Sequence, residues 1–179
     1  NKEFRSKNFF INKDSLIPRP ETELLIDPIL KIFANKNLFF LDAGIGSGCI
    51  TFSILNELKN SRAIGIDISK KTLSNAKKNL KKFKNRVKIF CKPIDEIRNL
   101  RFDLIVSNPP YIVKREVKRL SNDIKKFEPI VALDGGNDGL DVIKKVIYKS
   151  KYILKSDGIL ALEIGTGQYS SVMKLLKAN

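Results

Sequence analysis

The chain has 179 residues, and its 34 Lys and Arg against 19 Asp and Glu give a formal net charge of +15. It contains no histidine, which excludes a Ser-His-Asp triad, a Cys-His dyad and a His-ligated zinc site. Cys49 and Cys91 form neither a CxxC motif nor a disulfide framework, and no apolar run approaches the roughly 18 residues of a membrane helix. These features predict a single cytoplasmic domain with no metal site and no membrane contact.

The excess of positive charge has two interpretations. The chain is rich in Lys, Ile and Asn, a composition that AT-rich coding sequences produce whatever the function. Alternatively, the charge indicates an acidic or polyanionic partner, such as a nucleic acid or a ribosomal surface. Charge alone leaves both interpretations open.

Residues 1–36 are predicted to form an N-terminal segment ahead of a core at 37–179, within one compact domain. A short strand is predicted at Phe9-Phe10-Ile11, and a helix is predicted to start near Glu21, after the stiff Pro18-Arg19-Pro20. Pro28 predicts a kink or a restart of that helix. Its expected apolar face consists of Leu24, Leu25, Ile29, Ile32 and Phe33.

From residue 37 onward, short apolar strands alternate with helices. The predicted strands are 38–41, 62–66, 87–90, 103–107 and 159–164. The predicted helices are 48–58, one that follows Ser69, 138–154 and 168–178. This alternation is typical of the α/β class, and we expect a parallel sheet in the order 3-2-1-4-5 with helices on both faces. Ligands of such sheets bind at the carboxyl ends of the strands, so we expect the site at 42–48, 67, 108–111 and 163–165.

A glycine-rich loop follows the first core strand as Asp42-Ala43-Gly44-Ile45-Gly46-Ser47-Gly48, and Asp67 ends the next strand. Dinucleotide-binding enzymes share this pattern, and in them the acid in the position of Asp67 binds ribose hydroxyls. A glycine-rich turn with a purely structural role also fits the pattern. The GxGxG spacing, the lack of a following Lys and an acid at the mouth of the loop disfavour a phosphate ligand. They favour S-adenosylmethionine, which carries a positive sulfonium.

Asn108-Pro109-Pro110-Tyr111 directly follows the fourth core strand. Proline has no N–H group, so the Pro109 carbonyl has few competing donors in the loop. Asn108 precedes a proline and is therefore biased toward an extended conformation, which fixes the direction of its side chain. The Asn108 side-chain oxygen and the Pro109 carbonyl are therefore predicted to accept two N–H bonds from one planar –NH2 group. Such acceptors orient the nitrogen lone pair, and Tyr111 is expected to supply an aromatic wall. An ordinary turn at a strand end is the structural alternative.

Two further segments identify a family that the chain resembles. Leu16-Ile17-Pro18-Arg19-Pro20-Glu21-Thr22-Glu23 is similar to the LIPRPETE signature of the release-factor glutamine N5-methyltransferases. The segment from Glu128 to Leu140, EPIVALDGGNDGL, resembles their EP-x-x-AL-x-GG-x-DGL pattern. Together with GxGxG and Asn-Pro-Pro-Tyr, these motifs cover the chain from about Phe9 to Gln168 in the family's order.

The resemblance implies a Rossmann-like class I methyltransferase fold that uses S-adenosylmethionine. The implied activity is N5-methylation of the glutamine in the Gly-Gly-Gln loop of peptide chain release factors. The residues implied to bind the cofactor are Asp42, Gly44, Ile45, Gly46, Ser47, Gly48, Asp67, Ile68, Ile94, Asp95 and Asn108. The residues implied to bind the glutamine are Asn108, Pro109, Pro110 and Tyr111, with Asn108, Pro109 and Tyr111 catalytic. Arg19 and Glu21 either shape the cleft or form a structural ion pair.

The chain departs from the family pattern at both ends. The family has an N-terminal helical domain before this region, and its fold normally has two more strands after helix 168–178. Without them, the strand at 159–164 is expected to be an open sheet edge. A fragment of a longer protein is the expected explanation.

Three alternative functions remain open, and one surface is a candidate docking site for the partner. The chain could methylate adenine N6 in DNA or RNA, methylate a glutamine of a ribosomal protein, or be a non-catalytic binding module. Lys114, Arg115, Lys118 and Arg119 follow the proposed substrate loop and are predicted to form a basic lip that docks an acidic face of the partner.

Overall fold

The computed structural model describes all residues from 1 to 179. A two-stranded antiparallel hairpin is followed by a five-stranded parallel sheet with interleaved helices. The strands are β1 Lys2–Phe4, β2 Lys7–Phe9, β3 Phe39–Ala43, β4 Arg62–Asp67, β5 Val87–Cys91, β6 Phe102–Ser107 and β7 Leu154–Leu162. The helices are α1 Pro20–Glu23, α2 Ile26–Ile32, α3 Cys49–Glu57, α4 Thr72–Asn79, α5 Lys114–Val117, α6 Asn122–Phe127, α7 Asp141–Ile153 and α8 Tyr169–Ala178. None of these helices is long and apolar enough to cross a membrane.

The large sheet has the order β5-β4-β3-β6-β7, with every neighbouring pair parallel. This confirms the predicted order 3-2-1-4-5. In β3, Leu41 is paired with Ile64 of β4 on one side and with Ile105 of β6 on the other. The connection from β3 runs through α3 to β4, and the connection from β6 runs through α7 to β7 on the other side. These opposite directions open a crevice at the carboxyl ends of β3 and β6.

Apolar side chains cover both faces of the sheet, as predicted for a buried parallel sheet. Phe40 of β3 belongs to the cluster that holds α2, α3 and α4, together with Ile26 and Ile54. Its neighbour Leu41 belongs to the opposite cluster, under α7 with Ile153. Burying each such side chain contributes about 1.5–3 kcal/mol, so the two layers fix the position of β3 and of the loop that follows it.

The N-terminal hairpin packs on α3. Arg5 and Ser6 both have positive φ, which is the requirement of a two-residue type I′ turn. The rings of Phe4 and Phe9 lie edge to face at 6.1 Å, and Phe9 makes a second such contact with Phe52 of α3 at 5.0 Å. The strand predicted at 9–11 therefore lies at Lys7–Phe9 instead, because the Phe10 N–H donates to Asn79 Oδ1 of α4 at 2.9 Å rather than to a strand partner.

The helix predicted near Glu21 is interrupted. Pro28 lies in the first turn of α2, so the helix restarts rather than kinks. The restart shifts the helical phase, so that Ile26, Ile29 and Phe33 face the core. Leu24 and Ile32 were predicted to be apolar-face residues, and that prediction is wrong because they are 75% and 47% exposed.

Strand β7 differs from its predicted bounds of 159–164. Phe102 of β6 is paired with Leu154, while Leu104 is paired with Ile159, so residues 155–158 form a bulge. Helix α7 runs directly into this strand, and Lys155 bonds Asp103 at 2.7 Å. The strand lies at the edge of the sheet, and its end carries Glu163 next to the carboxyl end of β6.

Candidate functional site

A cavity of about 550 Å³ lies at the carboxyl ends of β3, β4 and β6, where the strand order predicts a ligand site. Its size is in the range of small-molecule and cofactor sites. Most of the predicted site residues line it. They are Gly44, Ile45, Gly46, Ser47, Asp67, Ile68, Ile94, Asp95, Asn108, Pro109 and Pro110. No group of three or more Cys, Asp or Glu side chains is arranged to hold a metal ion.

The glycine loop is held by the neighbouring strand. The backbone N–H groups of Gly44 and Ile45 both donate to the carbonyl of Ile66, at 2.9 Å each. Gly44 has φ +82°, and a Cβ there would lie in open space 4.0 Å from the carbonyl oxygen of Asn108. Glycine at this position therefore leaves the space between the loop and Asn108 free for a ligand.

Gly48 was predicted to bind the cofactor, but it does not line the cavity. It precedes α3 with φ +82°, and a Cβ there would lie 2.9 Å from Leu80, which directly follows α4. The close packing of α3 against α4 therefore requires this glycine.

Asp42 was predicted to lie at the mouth of the loop, and this prediction is wrong. The carboxylate is fully buried, because β3 continues to Ala43 and the Asp42 side chain points toward α3. Thr51 of α3 donates to Asp42 Oδ2 at 2.6 Å, whereas Oδ1 has no partner. Burial raises the pKa of Asp42 to about 7, against the lowering effect of the Thr51 hydrogen bond.

Asp67 lies in the cavity wall, as predicted. Its Oδ2 accepts the Gly46 N–H at 3.2 Å, and its Oδ1 accepts the Ser69 N–H at 2.9 Å. Burial raises the pKa of this carboxyl, while these backbone bonds act in the opposite direction. A carboxylate has about four acceptor sites, so Asp67 keeps capacity for two ribose hydroxyls.

The far wall of the cavity is apolar. Ile94, in a 3₁₀ turn at Ile94–Glu96, is buried, and Ile68 is 61% exposed at the cavity edge. Asp95 also lines the cavity. Three of the residues implied to bind the cofactor therefore line the same cavity, with apolar surface from Ile68 and Ile94 and a carboxylate from Asp95.

Asn108 presents an unpaired acceptor to the cavity. Its Nδ2 donates to Thr22 Oγ1 at 3.0 Å, and no protein donor bonds its Oδ1. The carbonyl oxygen of Pro109 likewise has no donor within the protein. The two acceptors predicted from Asn-Pro-Pro-Tyr are thus both available.

Tyr111 is hydrogen-bonded to Glu163 at the end of the substrate loop. It does not line the cavity, because its hydroxyl donates to Glu163 Oε1 at 3.2 Å and its ring lies close to Gly165. Burial and the nearby Glu163 carboxylate raise the pKa of Tyr111 to about 12. Glu163 therefore holds Tyr111 outside the lining of this cavity, and the aromatic wall against the substrate stays a prediction.

Two residues of the site were not singled out from the sequence. Thr22, 2% exposed, accepts from Asn108 and donates to Glu163 Oε2 at 2.6 Å. The sequence pointed to 163–165 only as the end of a strand. Thr22 lies inside the LIPRPETE-like segment, and that location was the one available signal for it.

Arg19 forms an ion pair, but its partner is not Glu21. Arg19 Nη2 lies 2.5 Å from Glu128 Oε1, and the Ile17 N–H donates to Glu128 Oε2 at 3.3 Å. Glu21 is exposed at the start of α1. The pair connects the two family-like segments, each of which contributes to the cavity wall through Pro18 and Pro129.

Comparison with a family model matches residues 20–126 to the methyltransferase small domain. The chain is also similar to proteins named release factor glutamine methyltransferase. It is 39% identical over 183 residues to that of Clostridium acetobutylicum, covering 98% of this chain and 64% of the relative. It is 41% identical over 182 residues to that of Clostridium botulinum, covering 97% and 64%. These matches confirm the resemblance seen in the motifs.

The chain spans 60–64% of the length of these curated relatives. Among solved structures, it is similar to the hMettl16 catalytic domain in complex with the MAT2A 3′UTR hairpin 6, with a TM-score of 0.73 and 16% identity, covering 95% of this chain and 66% of that one. It is also similar to the ribosomal protein L11 methylase of Lactobacillus delbrueckii, with a TM-score of 0.65 and 18% identity, covering 90% and 69%. These structures share the Rossmann-like class I methyltransferase fold.

Proposed function

The chain belongs to the methyltransferase small domain family, and we propose that it methylates the side-chain nitrogen of a protein glutamine with S-adenosylmethionine. The proposed acceptor is the glutamine of the Gly-Gly-Gln loop of peptide chain release factors. The observation that carries the proposal is the pair of free acceptors, Asn108 Oδ1 and the Pro109 carbonyl, beside the glycine loop. The names of the relatives support the choice of a release factor.

The residues of the cavity fit S-adenosylmethionine. A Cβ at Gly44 would fill the space beside Asn108, so the loop leaves room for a ligand there. Asp67 offers acceptors for ribose hydroxyls, and Ile68 and Ile94 offer apolar surface for adenine. When bound, S-adenosylmethionine supplies an electrophilic methyl group on its sulfonium.

Asn108 and Pro109 fit a planar –NH2 group. Asn108 Oδ1 and the Pro109 carbonyl are both acceptors, so they match the two N–H bonds of one primary amide. An amide nitrogen is a poor nucleophile because its lone pair is delocalised. Acceptors beside the N–H bonds hold the nitrogen in place and stabilise the positive charge that develops on it during attack.

The residues of the Asn-Pro-Pro-Tyr loop do not supply a general base at neutral pH. The chain has no histidine, and Tyr111, with its pKa raised to about 12, stays protonated at neutral pH. Orientation and electrostatic stabilisation by Asn108 and Pro109 are therefore the contributions we assign to this chain. Transfer would form the N–CH3 bond while the S–CH3 bond breaks, with S-adenosylhomocysteine as the leaving group, and the methylated amide would lose its extra proton to water.

We also propose that the basic lip, Lys114, Arg115, Lys118 and Arg119, docks an acidic face of the protein substrate. All four side chains are exposed and none is in an ion pair. The lip begins directly after the substrate loop, and the chain returns to the cavity wall at Pro129. Free cations at the rim of a cleft increase the association rate of an anionic partner.

The proposal is tested by offering labelled S-adenosylmethionine with a panel of unmodified acceptors. The panel consists of a release factor, a ribosomal protein fraction, and adenine-containing RNA and DNA. We expect the label to enter the release factor and to be found on its Gly-Gly-Gln glutamine by mass spectrometry. Label in RNA or DNA would favour the adenine-N6 alternative, and cofactor binding without transfer to any acceptor would favour a binding module.

A further inference from the structure

Glu163 lies behind the substrate loop rather than in the cavity. Both of its carboxylate oxygens accept hydrogen bonds from hydroxyl groups. Tyr111 donates to Oε1 at 3.2 Å, and Thr22 donates to Oε2 at 2.6 Å. Thr22 Oγ1 in turn accepts a hydrogen bond from Asn108 Nδ2 at 3.0 Å. A chain of hydrogen bonds therefore runs from Glu163 through Thr22 to the side chain that faces the cavity.

The direction of this chain follows from the chemistry of its members. An ionised carboxylate can only accept, so the single hydroxyl proton of Thr22 is directed to Glu163. Thr22 Oγ1 then has only lone pairs to offer Asn108, and only the –NH2 half of the Asn108 amide can bond it. The Oδ1 half must therefore point away from Thr22.

We propose that Glu163 is a positioning residue that holds the Asn108 amide in one orientation, with Oδ1 toward the cleft, so that the site accepts substrates that donate N–H. The consequence for substrate choice rests on the proposed function, whereas the orientation of Asn108 does not. Without the carboxylate, the Thr22 proton is free to bond Asn108 Oδ1. The amide then turns over and presents a donor to the cleft.

The same geometry explains why the N-terminal segment is part of the site. Thr22 is 2% exposed and belongs to α1, which lies outside the parallel sheet. Glu163 directly follows β7, and its backbone N–H donates to the Ser107 carbonyl at 3.0 Å. The LIPRPETE-like segment thus contributes the hydroxyl that links the ends of β6 and β7.

The orientation is tested by hydrogen exchange of the Asn108 side-chain –NH2 group, followed by NMR on the full chain. Its resonances are assigned from their loss in Asn108→Ala. We expect the group to be protected in the wild type and to exchange at least about tenfold faster in Thr22→Val and in Glu163→Met. Thr22→Ser keeps the hydroxyl and should keep the protection. Unchanged exchange in both Thr22→Val and Glu163→Met would overturn the proposal.

A kinetic test distinguishes positioning from a structural role. With a release factor as substrate, we expect kcat to fall about 10- to 100-fold in Thr22→Val and in Glu163→Met, with Thr22→Ser recovering most of the loss. The Kd for S-adenosylmethionine should change less than about threefold, because the network does not touch the glycine loop. Ser150→Ala removes a buried hydroxyl that bonds within α7 and serves as the matched control.

The outcomes separate this inference from the proposed function. If Thr22→Val and Glu163→Met both methylate the release factor as fast as the wild type, the positioning role is overturned and the proposed function stands. An Asn108 amide that is protected and then released by the variants would support the positioning role even if no glutamine is methylated. In that case the proposed function, and not the inference about Glu163, would fail.

Discussion

Arg19 and Glu128 form an ion pair, with Nη2 and Oε1 2.5 Å apart, although they are 109 positions apart in the chain. The Glu128 side chain is 2% exposed, whereas that of Arg19 is 36% exposed. The pair joins the segment that carries Pro18 and Thr22 to the segment that begins at Pro129. Both segments line the cavity, so the pair holds two parts of its wall together.

Removal of Arg19 should destabilise the protein. Arg19→Met leaves a buried carboxylate with only the Ile17 N–H as a partner. Breaking a buried pair typically costs about 3–5 kcal/mol, and the exposure of Arg19 reduces our expectation to about 1–3 kcal/mol. Urea denaturation of Arg19→Met, Glu128→Leu and the double variant measures the loss and the coupling. If the single losses simply add up in the double variant, the pair does not couple the segments.

Asp42 should make the stability of the protein depend on pH. Burial raises its pKa from 3.8 to about 7, so between these pH values the folded state binds more protons than the unfolded state. The contribution of Asp42 to the free energy of unfolding therefore falls as the pH rises from about 4 to about 7, and this contribution is constant above that.

Asp42→Asn should abolish this part of the pH dependence, since the amide does not ionise. We expect the variant to gain on the order of 1–4 kcal/mol relative to the wild type between pH 4 and pH 8. Urea denaturation of the variant and of the wild type at a series of pH values measures this difference. A difference that stays constant with pH would contradict the assigned pKa.

Gly65 of β4 should control the position of the glycine loop. A Cβ there would lie 2.1 Å from Cδ1 of Ile45, which lines the cavity. Gly65→Ala should therefore displace Ile45 and weaken binding of S-adenosylmethionine by about tenfold, a change of about 1.4 kcal/mol.

Ile45→Val removes the clashing Cδ1 atom, so the double variant should recover most of the affinity lost in Gly65→Ala. Calorimetric titration with S-adenosylmethionine provides the Kd, and Ile45→Val alone is the control. Equal affinity of the wild type and Gly65→Ala would show that the loop position does not depend on this contact.

The basic lip should make association with the protein substrate sensitive to salt. Lys118→Glu/Arg119→Glu should raise KM for a release factor severalfold at low ionic strength, with a smaller effect above about 0.3 M salt. Lys81→Glu/Lys84→Glu makes the same change in charge at exposed positions outside the cavity wall and is the matched control. If the two double variants raise KM equally, only the net charge matters and the lip has no special role.

Most of the fold could be predicted from the sequence because parallel strands that are buried on both sides are continuously apolar. The alternation with helices predicted a parallel sheet, and the expected strand order was confirmed. The errors arose where tertiary contacts override local pattern. Pro28 restarted a helix and exposed Leu24 and Ile32, and the bulge at 155–158 extended β7.

The candidate site was predictable in its location but less so in the roles of its residues. Asp42 and Tyr111 lie next to cavity residues in the sequence, yet Thr51 and Glu163 draw their side chains away from the cleft. Thr22 could not be placed, because its contacts are with residues 86 and 141 positions away in the chain. Proximity in sequence does not determine the direction of a side chain.

The most direct test of the proposed function is methyl transfer from labelled S-adenosylmethionine to an unmodified release factor, with two controls. One is Asn108→Ala, and the other is a release factor in which the Gly-Gly-Gln glutamine is replaced. We expect the wild-type protein to transfer the methyl group to the unmodified release factor, and we expect no transfer in either control. The Asn108→Ala variant should still bind S-adenosylmethionine. Transfer that persists with Asn108→Ala, or with the glutamine replaced, would contradict the roles assigned here to the Asn-Pro-Pro-Tyr loop and to its acceptor.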